Sequence, residues 1–336
     1  MKIGIHYHQG SFSSRWIKYC EEKGISYKIV DCYKSDIIEQ LNDCEAFMWH
    51  FHHAGPKDCL FAKQLLFSVQ ASGKKVFPDF NTVWHFDDKL GQKFLLEIIN
   101  APLVPCYVFY SRKNALEWVQ NTSFPKVFKL RGGAGSQNVR LIKDKKHAIR
   151  LIKKAFRRGF KNNSVASPKE LIRLFWLDKA SIFNIFKGIA RLFILTKFGK
   201  VSGRERGYIY FQDYVPDNDS DTRIVVIGNR AFAIKRLVRK NDFRASGSGS
   251  ILYAKYEIDE RCVEIAFELT KKLKAQCLAY DFIFDEKNTP LIVEISYGFG
   301  IEAYDPCPGY WDRDLNWHEG SFNPQYWMIE DLIQSI

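Results

Sequence analysis

The sequence predicts an α/β protein with an N-terminal parallel α/β domain and a larger second region of paired strands and helices. Residues 1–80 alternate between strand-like and helix-like stretches, which is the pattern of βαβ units. Residues 207–300 contain strand patterns that follow one another across short turns. The chain has 336 residues, of which 46% are hydrophobic and 26% charged, so it is long and apolar enough for more than one hydrophobic core.

The first domain is predicted over residues 1–80. It begins with the strand KIGIHY and the helix SSRWIKYCEEKG, which ends at a glycine. The following strand, helix and strand are YKIVD, SDIIEQLND and AFMWHF, and the helix DCLFAKQLLFSVQASG precedes the strand KKVFPD. No GxGxxG motif follows the first strand, so the sequence does not indicate a dinucleotide-binding domain.

The second domain is predicted over residues 81–159 and 207–300. Its first part reads as the helix DDKLGQKFLLEII, the strand PCYVFY, the helix KNALEWVQ, two strands in PKVFKLRGGAGSQNVRLI, and the basic helix HAIRLIKKAFRRGF. Its second part reads as the strands YIYFQDYV, TRIVVIGNRAFAIKRLV, CLAYDFIFD and PLIVEIS, with the helix DERCVEIAFELTKKLKA before the last two. Residues 301–336 form an aromatic tail that we expect to be irregular until a final short helix.

The basic charge is concentrated in one segment. The net charge of the chain is +12, whereas residues 140–206 carry 19 Lys+Arg against 4 Asp+Glu. We therefore expect a local surface that faces an anionic partner, and no nucleic-acid-binding function. Residues 160–206 are predicted to be a basic helical insertion. Its apolar stretch SIFNIFKGIARLFILTKF is compatible with a helix of a substrate lid, an oligomer interface or an interfacial membrane anchor.

A glycine-rich loop is the first candidate for phosphate binding. In VFKLRGGAGSQNV, the strand residue Lys129 precedes Gly132, Gly133, Gly135 and Ser136. Glycines let backbone N–H groups approach an anion closely, and a lysine adds a positive charge. No GK[ST] sequence closes the loop, so it is not a Walker A motif. A plain hairpin turn is the alternative interpretation.

Two carboxylates are candidate metal ligands. Asp281 and Glu294 lie in two strand patterns joined by the turn DEKNTP, and strand alternation can place them on the same face. Neighbouring carboxylates in apolar surroundings need a cation, and Mg²⁺ prefers one or two carboxylates together with phosphate oxygens. The alternative is a solvated strand pair.

Basic side chains on the strands complete the candidate set. Arg223, Lys235, Arg236 and Arg244 lie in or beside strand patterns rather than on solvated helices. Facing a carboxylate pair, such side chains suit phosphate and carboxylate recognition.

The order of these motifs resembles that of the ATP-grasp superfamily, and within it the ligases similar to RimK and glutathione synthetase. The resemblance covers about two-thirds of the chain, from Phe80 to Ser296. The matching stretches, in order, are DDK, FPKVFKLRGGAGSQNV, FQDYV, DSDTRIVVIG, AIKR, DFRAS and YDFIFD with LIVEIS. It implies a fold of two α+β subdomains that clamp ATP, with the first domain preceding them.

The resemblance also implies a role for each candidate residue. Lys89 and Lys129 are similar to the two lysines that bind the ATP phosphates, and the loop with Gly133, Gly135 and Ser136 is similar to the flap over them. The remaining roles are the adenine hinge, the ribose ligand, the phosphate or acyl-phosphate arginines, and the metal ligands. Gln212, Asp213, Tyr214 and Val215 match the adenine hinge, and Asp221 matches the ribose ligand. Arg236 and Arg244 match the arginines. Asp281, Glu294 and Ser296 match the metal ligands.

Two positions depart from the family pattern. Ser296 and Ser246 each stand where relatives carry Asn. A hydroxyl is a weaker Mg²⁺ ligand than an amide oxygen, so the changes affect the second metal position and the acceptor geometry.

The function implied by the resemblance is ATP-dependent ligation of a carboxylate to an amine, with ATP and Mg²⁺, through an acyl phosphate. Positioning and charge neutralisation suffice for such a reaction. A phosphotransferase acting on a hydroxyl and a nucleotide-binding protein without turnover remain alternatives. The aromatic tail and the basic insertion favour a sugar or surface-glycan precursor as substrate.

Histidines at two strand ends form a further feature. His6 and His8 end one strand and His50, His52 and His53 end another, and such ends face the ligand crevice of a parallel sheet. A metal cluster, a polar rim facing the substrate and plain surface histidines are the three interpretations.

The sequence also favours an intracellular location. Eight dispersed cysteines without a CxxC pair are typical of reduced thiols in a cytosolic protein. The start MKIGIHYHQG lacks the apolar stretch of a secretory signal. We expect a cytoplasmic protein, with peripheral contact at the inner face of the membrane through residues 160–206 and oligomerisation left open.

Overall fold

The computed structural model describes residues 1–52, 55–132, 138–161, 203–239, 243–245 and 249–335. The first of its sheets is parallel throughout, with strand order β2-β1-β3-β4. The strands are β1 (Lys2–His6), β2 (Ser26–Val30), β3 (Ala46–Met48) and β4 (Lys75–Phe77). The predicted parallel sheet is therefore present in residues 1–80.

Helices connect these strands and bring the strand ends together. They are α1 (Phe12–Lys23), α2 (Ile37–Gln40) and α3 (Pro56–Ala71). Ser11 caps α1 through its hydroxyl, which accepts from the Ser13 N–H, and Gly24 ends the helix at φ 63°, where glycine is favoured. Since parallel strands all run the same way, the chain after β1 and after β3 leaves the sheet at one edge.

Two short helices lead into the second region. They are α4 (Phe80–Val83) and α5 (Lys89–Ile98). The Asp88 carboxylate accepts from the N–H groups of Leu90 and Gly91, which satisfies donors at the start of α5. Lys89 is thereby fixed as the first residue of a helix.

The second sheet is antiparallel, with order β5-β10-β6-β7. Helices α6 and α7 pack on it, and β8 pairs with β9 beside it. The elements are β5 (Cys106–Phe109), α6 (Arg112–Asn121), β6 (Lys126–Lys129), β7 (Arg140–Ile142), α7 (Lys145–Ala155), β8 (Phe160–Lys161), β9 (Arg204–Glu205) and β10 (Ile209–Asp213). The predicted insertion lies outside the described residues apart from its ends at β8 and β9.

The third sheet is the largest and has the order β15-β14-β11-β12-β16-β17, with β13 paired to β12. Its strands are β11 (Ser220–Ile227), β12 (Arg230–Leu237), β13 (Ile251–Leu252), β14 (Cys277–Phe284), β15 (Pro290–Ser296), β16 (Gly309–Asp312) and β17 (Trp317–Glu319). A 3₁₀ helix (Lys255–Glu257) precedes α8 (Glu260–Leu273), and α9 (Pro324–Gln334) ends the described chain.

Strand alternation gives this sheet two packed faces. Ile224 and Val226 of β11 pack in the cluster that contains α8 residues. Val225 and Ile227, one position along, pack in the cluster that contains β1, α1 and α9 residues. The N-terminal domain therefore shares a hydrophobic core with the third sheet, which fixes the first sheet's strand ends relative to β14 and β15.

The aromatic tail has more structure than the sequence indicated. Residues 309–319 form the hairpin β16–β17, where an irregular chain was expected. Tyr304 and Trp327 are buried and pack around Phe232. Tyr304 and Trp327 thus belong to the core, so these two rings do not support the expected recognition of a sugar.

The predicted α/β class is confirmed, with an N-terminal parallel sheet followed by antiparallel sheets. All eight cysteines are free thiols. Over the described ranges, no helix combines the length and the apolarity needed to cross a bilayer.

Candidate functional site

A cavity of about 750 Å³ lies where the three sheets meet. One wall consists of residues that follow β1 and β3, and another consists of the ends of β6 and β10. The third wall is the polar part of β11, β14 and β15. The volume is typical of small-molecule sites.

The two candidate metal ligands face each other on this third wall. Strands β14 and β15 are antiparallel, and Asp281 is the register partner of Glu294. On its other side Asp281 is the partner of Arg223 in β11. All three residues line the cavity, so the predicted placement of the carboxylate pair on one face is correct.

Two arginines surround Asp281. Arg223 Nε lies 2.8 Å from Asp281 Oδ1, in a geometry that is not that of a hydrogen bond, and Arg236 Nη2 lies 3.0 Å from Oδ2. Burial favours the neutral acid, but the two guanidinium groups outweigh it and lower the pKa of Asp281 below its usual value. Asp281 is therefore an ionised carboxylate in the described structure.

Arg236 has a different environment from the one expected. Its guanidinium donates to both oxygens of Asp221, at 2.6 and 2.8 Å. It is 7% exposed and does not line the cavity, because the acidic side chains of Asp221 and Asp281 lie against it. Arg223 lines the cavity instead of Arg236. Arg236 is therefore not placed to meet phosphate directly, as was predicted, whereas Asp221 lines the cavity with its carboxylate paired to Arg236.

The two candidate lysines approach the carboxylates from other elements. Lys89 Nζ lies 3.2 Å from Glu294 Oε1. Burial lowers the pKa of Lys89, but the attraction of Glu294 outweighs it and the net shift is upward. Lys129, at the end of β6, is equally buried, and there burial prevails and lowers its pKa. Only Lys129 of the two lines the cavity.

Three of the four residues predicted to form the adenine hinge lie at the cavity. Asp213, Tyr214 and Val215 line the cavity. Gln212 does not, because it lies within β10, where it pairs with both neighbouring strands, and its side-chain amide donates to Cys106 Sγ and the Val293 carbonyl. The Asp213 carboxylate accepts from Lys126 at 2.6 Å. Backbone groups available to a base are therefore those after residue 213.

Of the remaining phosphate candidates, the structure describes Arg244 alone. Arg244 lines it. Gly133, Gly135 and Ser136 lie outside the described residues, as do Ser246 and His53. Arg131, at the start of the glycine-rich loop, forms a 2.5 Å ion pair with Asp88, so the loop is tied at its base to the helix that carries Lys89.

The carboxylates fit one Mg²⁺ together with phosphate oxygens. Asp281 and Glu294 offer oxygens from adjacent strands, and Asp281 Oδ1 has no hydrogen-bond donor among the described residues. Ser296 is less suited as a third ligand, since its hydroxyl donates to the Gly298 carbonyl at 3.1 Å and accepts from the Gly298 N–H at 3.2 Å. In the described part of the chain, no group of three His, Cys, Asp or Glu side chains forms a metal site by itself.

The histidines at the strand ends form a wall of the cavity. His6, His8, His50 and His52 all line it, which corresponds to the predicted polar rim. His50 stacks on Phe12 with ring centroids 3.7 Å apart, and its Nδ1 accepts from the Phe12 N–H at 3.2 Å. A neutral His50 therefore carries its proton on Nε2. Residues 298–301, which follow β15 and lead into the aromatic tail, also line the cavity.

Comparison with known proteins extends this picture. Residues 200–307 match the family model of the RimK-like ATP-grasp domain. No curated protein sequence gives a significant match. Over the rest of the chain, similarity is therefore judged from structure.

Solved structures with low sequence identity share the fold. D-cycloserine synthetase DcsG has a TM-score of 0.60 at 13% identity, covering 99% of each chain. The biotin carboxylase domain of 2-oxoglutarate carboxylase from Hydrogenobacter thermophilus, crystallised with MgADP and bicarbonate, has a TM-score of 0.59 at 13% identity, covering 99% of this chain and 69% of that one. A RimK domain ATP-grasp protein from Sphaerobacter thermophilus has a TM-score of 0.56 at 13% identity, covering 99% of this chain and 100% of that one.

The resemblance drawn from the motifs is thereby confirmed, and the family model starts close to the predicted second half of the ATP-grasp region. Its 200–307 range contains β10, β11, β12, β14 and β15. The chain has the ATP-grasp fold of these structures, and its residues 200–307 match the RimK-like ATP-grasp domain.

Proposed function

We propose that the chain is an ATP-dependent, ADP-forming ligase that joins a carboxylate to an amine through an acyl phosphate. The observation that carries the proposal is the meeting of Lys129 and Arg223 with the Asp281–Glu294 pair on the wall of one cavity. Two carboxylates opposite fixed cations suit MgATP. The fold neighbours, among them a synthetase and a carboxylase bound to MgADP, support the same class.

The nucleotide would lie along the cavity from the hinge to the carboxylates. Tyr214 and Val215 would contact the base, and Lys129 would bind phosphate oxygens. Arg223 and Arg244 lie on the same cavity walls and are placed to neutralise charge that moves between the γ-phosphate and an acyl phosphate. Asp281 and Glu294 would hold Mg²⁺, which supplies further neutralisation of phosphate charge when bound.

The other reactants would enter from the N-terminal side. The wall there consists of His6, His8, His50 and His52 together with residues 298–301. Burial lowers the pKa of His6 and of His52, so these rings offer neutral hydrogen-bonding groups rather than positive charge. Such a wall orients a polar substrate next to the carboxylate pair and excludes water from the transfer step.

Fewer observations support the proposed substrate than support the proposed reaction. A sugar or surface-glycan precursor was inferred from the tail rings and the basic segment, and the tail rings pack in the core. The basic segment is the remaining support for it. We place the enzyme in the cytoplasm, as the free thiols favour.

The test is ADP release measured over pooled carboxylates, amines and sugars, with mass detection of the product. We expect ADP formation that requires a carboxylate and gives an amide once an amine is added. ADP formation that requires an alcohol and yields a phosphate ester would instead show a phosphotransferase. A protein that binds ATP and forms no ADP with any pool would be a nucleotide-binding protein without turnover.

A further inference from the structure

Exposed cations cover one side of the second sheet's subdomain. Eleven lysines and arginines of β7, α7 and the β8–β9 ends are exposed, and we call them the α7 basic surface. They are Arg140, Lys143, Lys145, Lys146, Arg150, Lys153, Lys154, Arg157, Arg158, Arg204 and Arg206. Helix α7 buries its opposite face through Ala148, Leu151, Ile152 and Ala155.

These cations repel one another instead of pairing with acids. Among the described residues, no carboxylate lies within ion-pair distance of any of the eleven. Lys154 has Arg140 and Arg204 near it, and burial together with these two charges lowers the pKa of Lys154. Arg204 is also fixed in place, because its guanidinium donates to the Arg158 and Gly159 carbonyls at 2.5 and 3.0 Å.

At the start of α7 this arrangement is unfavourable for folding. Lys145 and Lys146 lie in the first turn of α7, which has no acidic residue, although the helix dipole disfavours cations there. None of the eleven side chains lines the nucleotide cavity. Clustered charge that is unpaired with acids among the described residues and lies outside the cavity points to an external anionic partner.

The described surface favours a lipid bilayer over a nucleic acid. Single-stranded nucleic acids bind where aromatic rings stand exposed for stacking, but Phe160 is buried, with Lys154 Nζ 4.8 Å from its ring centroid. The exposed face of α7 is one regular row about 16 Å long. Lys146, Arg150, Lys153 and Arg157 recur along it at spacings of four, three and four.

The chain next to this surface is apolar in sequence. The 162–202 stretch follows β8 and precedes β9, and Arg204 of β9 belongs to the α7 basic surface. The stretch contains SIFNIFKGIARLFILTKF. A polybasic surface joined to an apolar stretch is the pair of signals by which peripheral proteins bind anionic membranes.

We infer that the α7 basic surface is a docking site for a bilayer rich in anionic phospholipid. This inference does not depend on the proposed ligase reaction, since it concerns residues outside the cavity.

The test is co-sedimentation of the full chain with phosphatidylglycerol-containing and pure phosphatidylcholine vesicles. We expect binding to the anionic vesicles only, and loss of that binding as NaCl rises from about 0.1 M to about 0.5 M, because the screening length shortens. The combined variant Lys146→Gln, Arg150→Gln, Lys153→Gln and Arg157→Gln should lower partitioning at least about 100-fold. Its ATP affinity should equal that of the wild type.

A matched variant carries the same charge change elsewhere. Lys18, Lys34, Lys271 and Lys287 are exposed and lie outside the surface, and their replacement by glutamine should leave partitioning within about threefold of wild type, as expected for distant surface charges. Equal binding to both vesicle types, binding to neither, or equal loss in both variants would overturn the inference. Tighter binding to a fluorescent single-stranded RNA than to anionic vesicles would overturn it in favour of a nucleic-acid partner.

Discussion

Replacing Asp281 by asparagine should lower the free energy of unfolding by about 3 kcal/mol, since breaking a buried ion pair leaves an uncompensated charge. Arg223 and Arg236 both lie within 3.0 Å of the Asp281 carboxylate, and asparagine keeps the shape while removing the charge. Urea unfolding followed by fluorescence measures the change.

The comparison variant is Glu286→Gln, an exposed residue in the turn after β14, for which we expect a change below about 0.5 kcal/mol. The two arginines hold the pKa of Asp281 below its ordinary value. Its contribution to stability is therefore complete above about pH 4 and is lost as the pH falls further. A stability of Asp281→Asn equal to that of wild type at pH 7 would show that the ion pairs contribute nothing.

Replacing Lys129 by methionine should weaken ATP binding by about 10- to 100-fold, since a hydrogen bond to a charged group contributes roughly 1.5–3 kcal/mol. Stability should not fall. In the described chain, no carboxylate lies within ion-pair distance of the Lys129 ammonium, burial lowers its pKa, and methionine fills a similar volume. Calorimetric titration with ATP and thermal unfolding measure the two effects separately.

Lys89→Met provides the contrast. Lys89 is paired with Glu294 at 3.2 Å, so its loss should reduce both stability and ATP affinity. We therefore expect only Lys129 of the two to be replaceable without loss of stability. An unchanged ATP affinity in Lys129→Met would remove this residue from the phosphate site.

The sequence predicted strands and registers well where the pattern of side chains is local. Alternation in CLAYDFIFD and PLIVEIS placed Asp281 and Glu294 on one face, and the structure pairs them directly. The βαβ pattern of residues 1–80 likewise gave the parallel sheet. In both cases the burial of a face determines which positions are apolar, so the order of apolar and polar residues in the sequence predicts the structure.

The sequence could not tell which arginine is open to the cavity. Arg223 and Arg236 lie in similar local sequences. The pairing of β11 with both β12 and β14 determines which of the two is covered by neighbouring strands and acidic side chains. The tail rings are an ambiguous substrate signal for a related reason. An aromatic residue beside acids suits a sugar site or a core, and only the position of Phe232 shows that Tyr304 and Trp327 pack inward.

The histidine wall depended on a contact that no local pattern encodes. The shared core of the first and third sheets brings His50 near Gly298, whose Cβ position would lie 3.7 Å from His50 Nε2. Residues more than two hundred positions apart thus form one cavity, and only tertiary packing reveals it.

The most direct test of the proposed site is the affinity for ATP at increasing Mg²⁺ concentration, in the wild type and in Glu294→Gln. The account predicts that Mg²⁺ tightens ATP binding to the wild type, because Asp281 and Glu294 hold the ion against the phosphates. It predicts that Glu294→Gln binds ATP with much less dependence on Mg²⁺ and has no turnover. Failure of the wild type to bind ATP at any Mg²⁺ concentration, or the same Mg²⁺ dependence in both proteins, would contradict it.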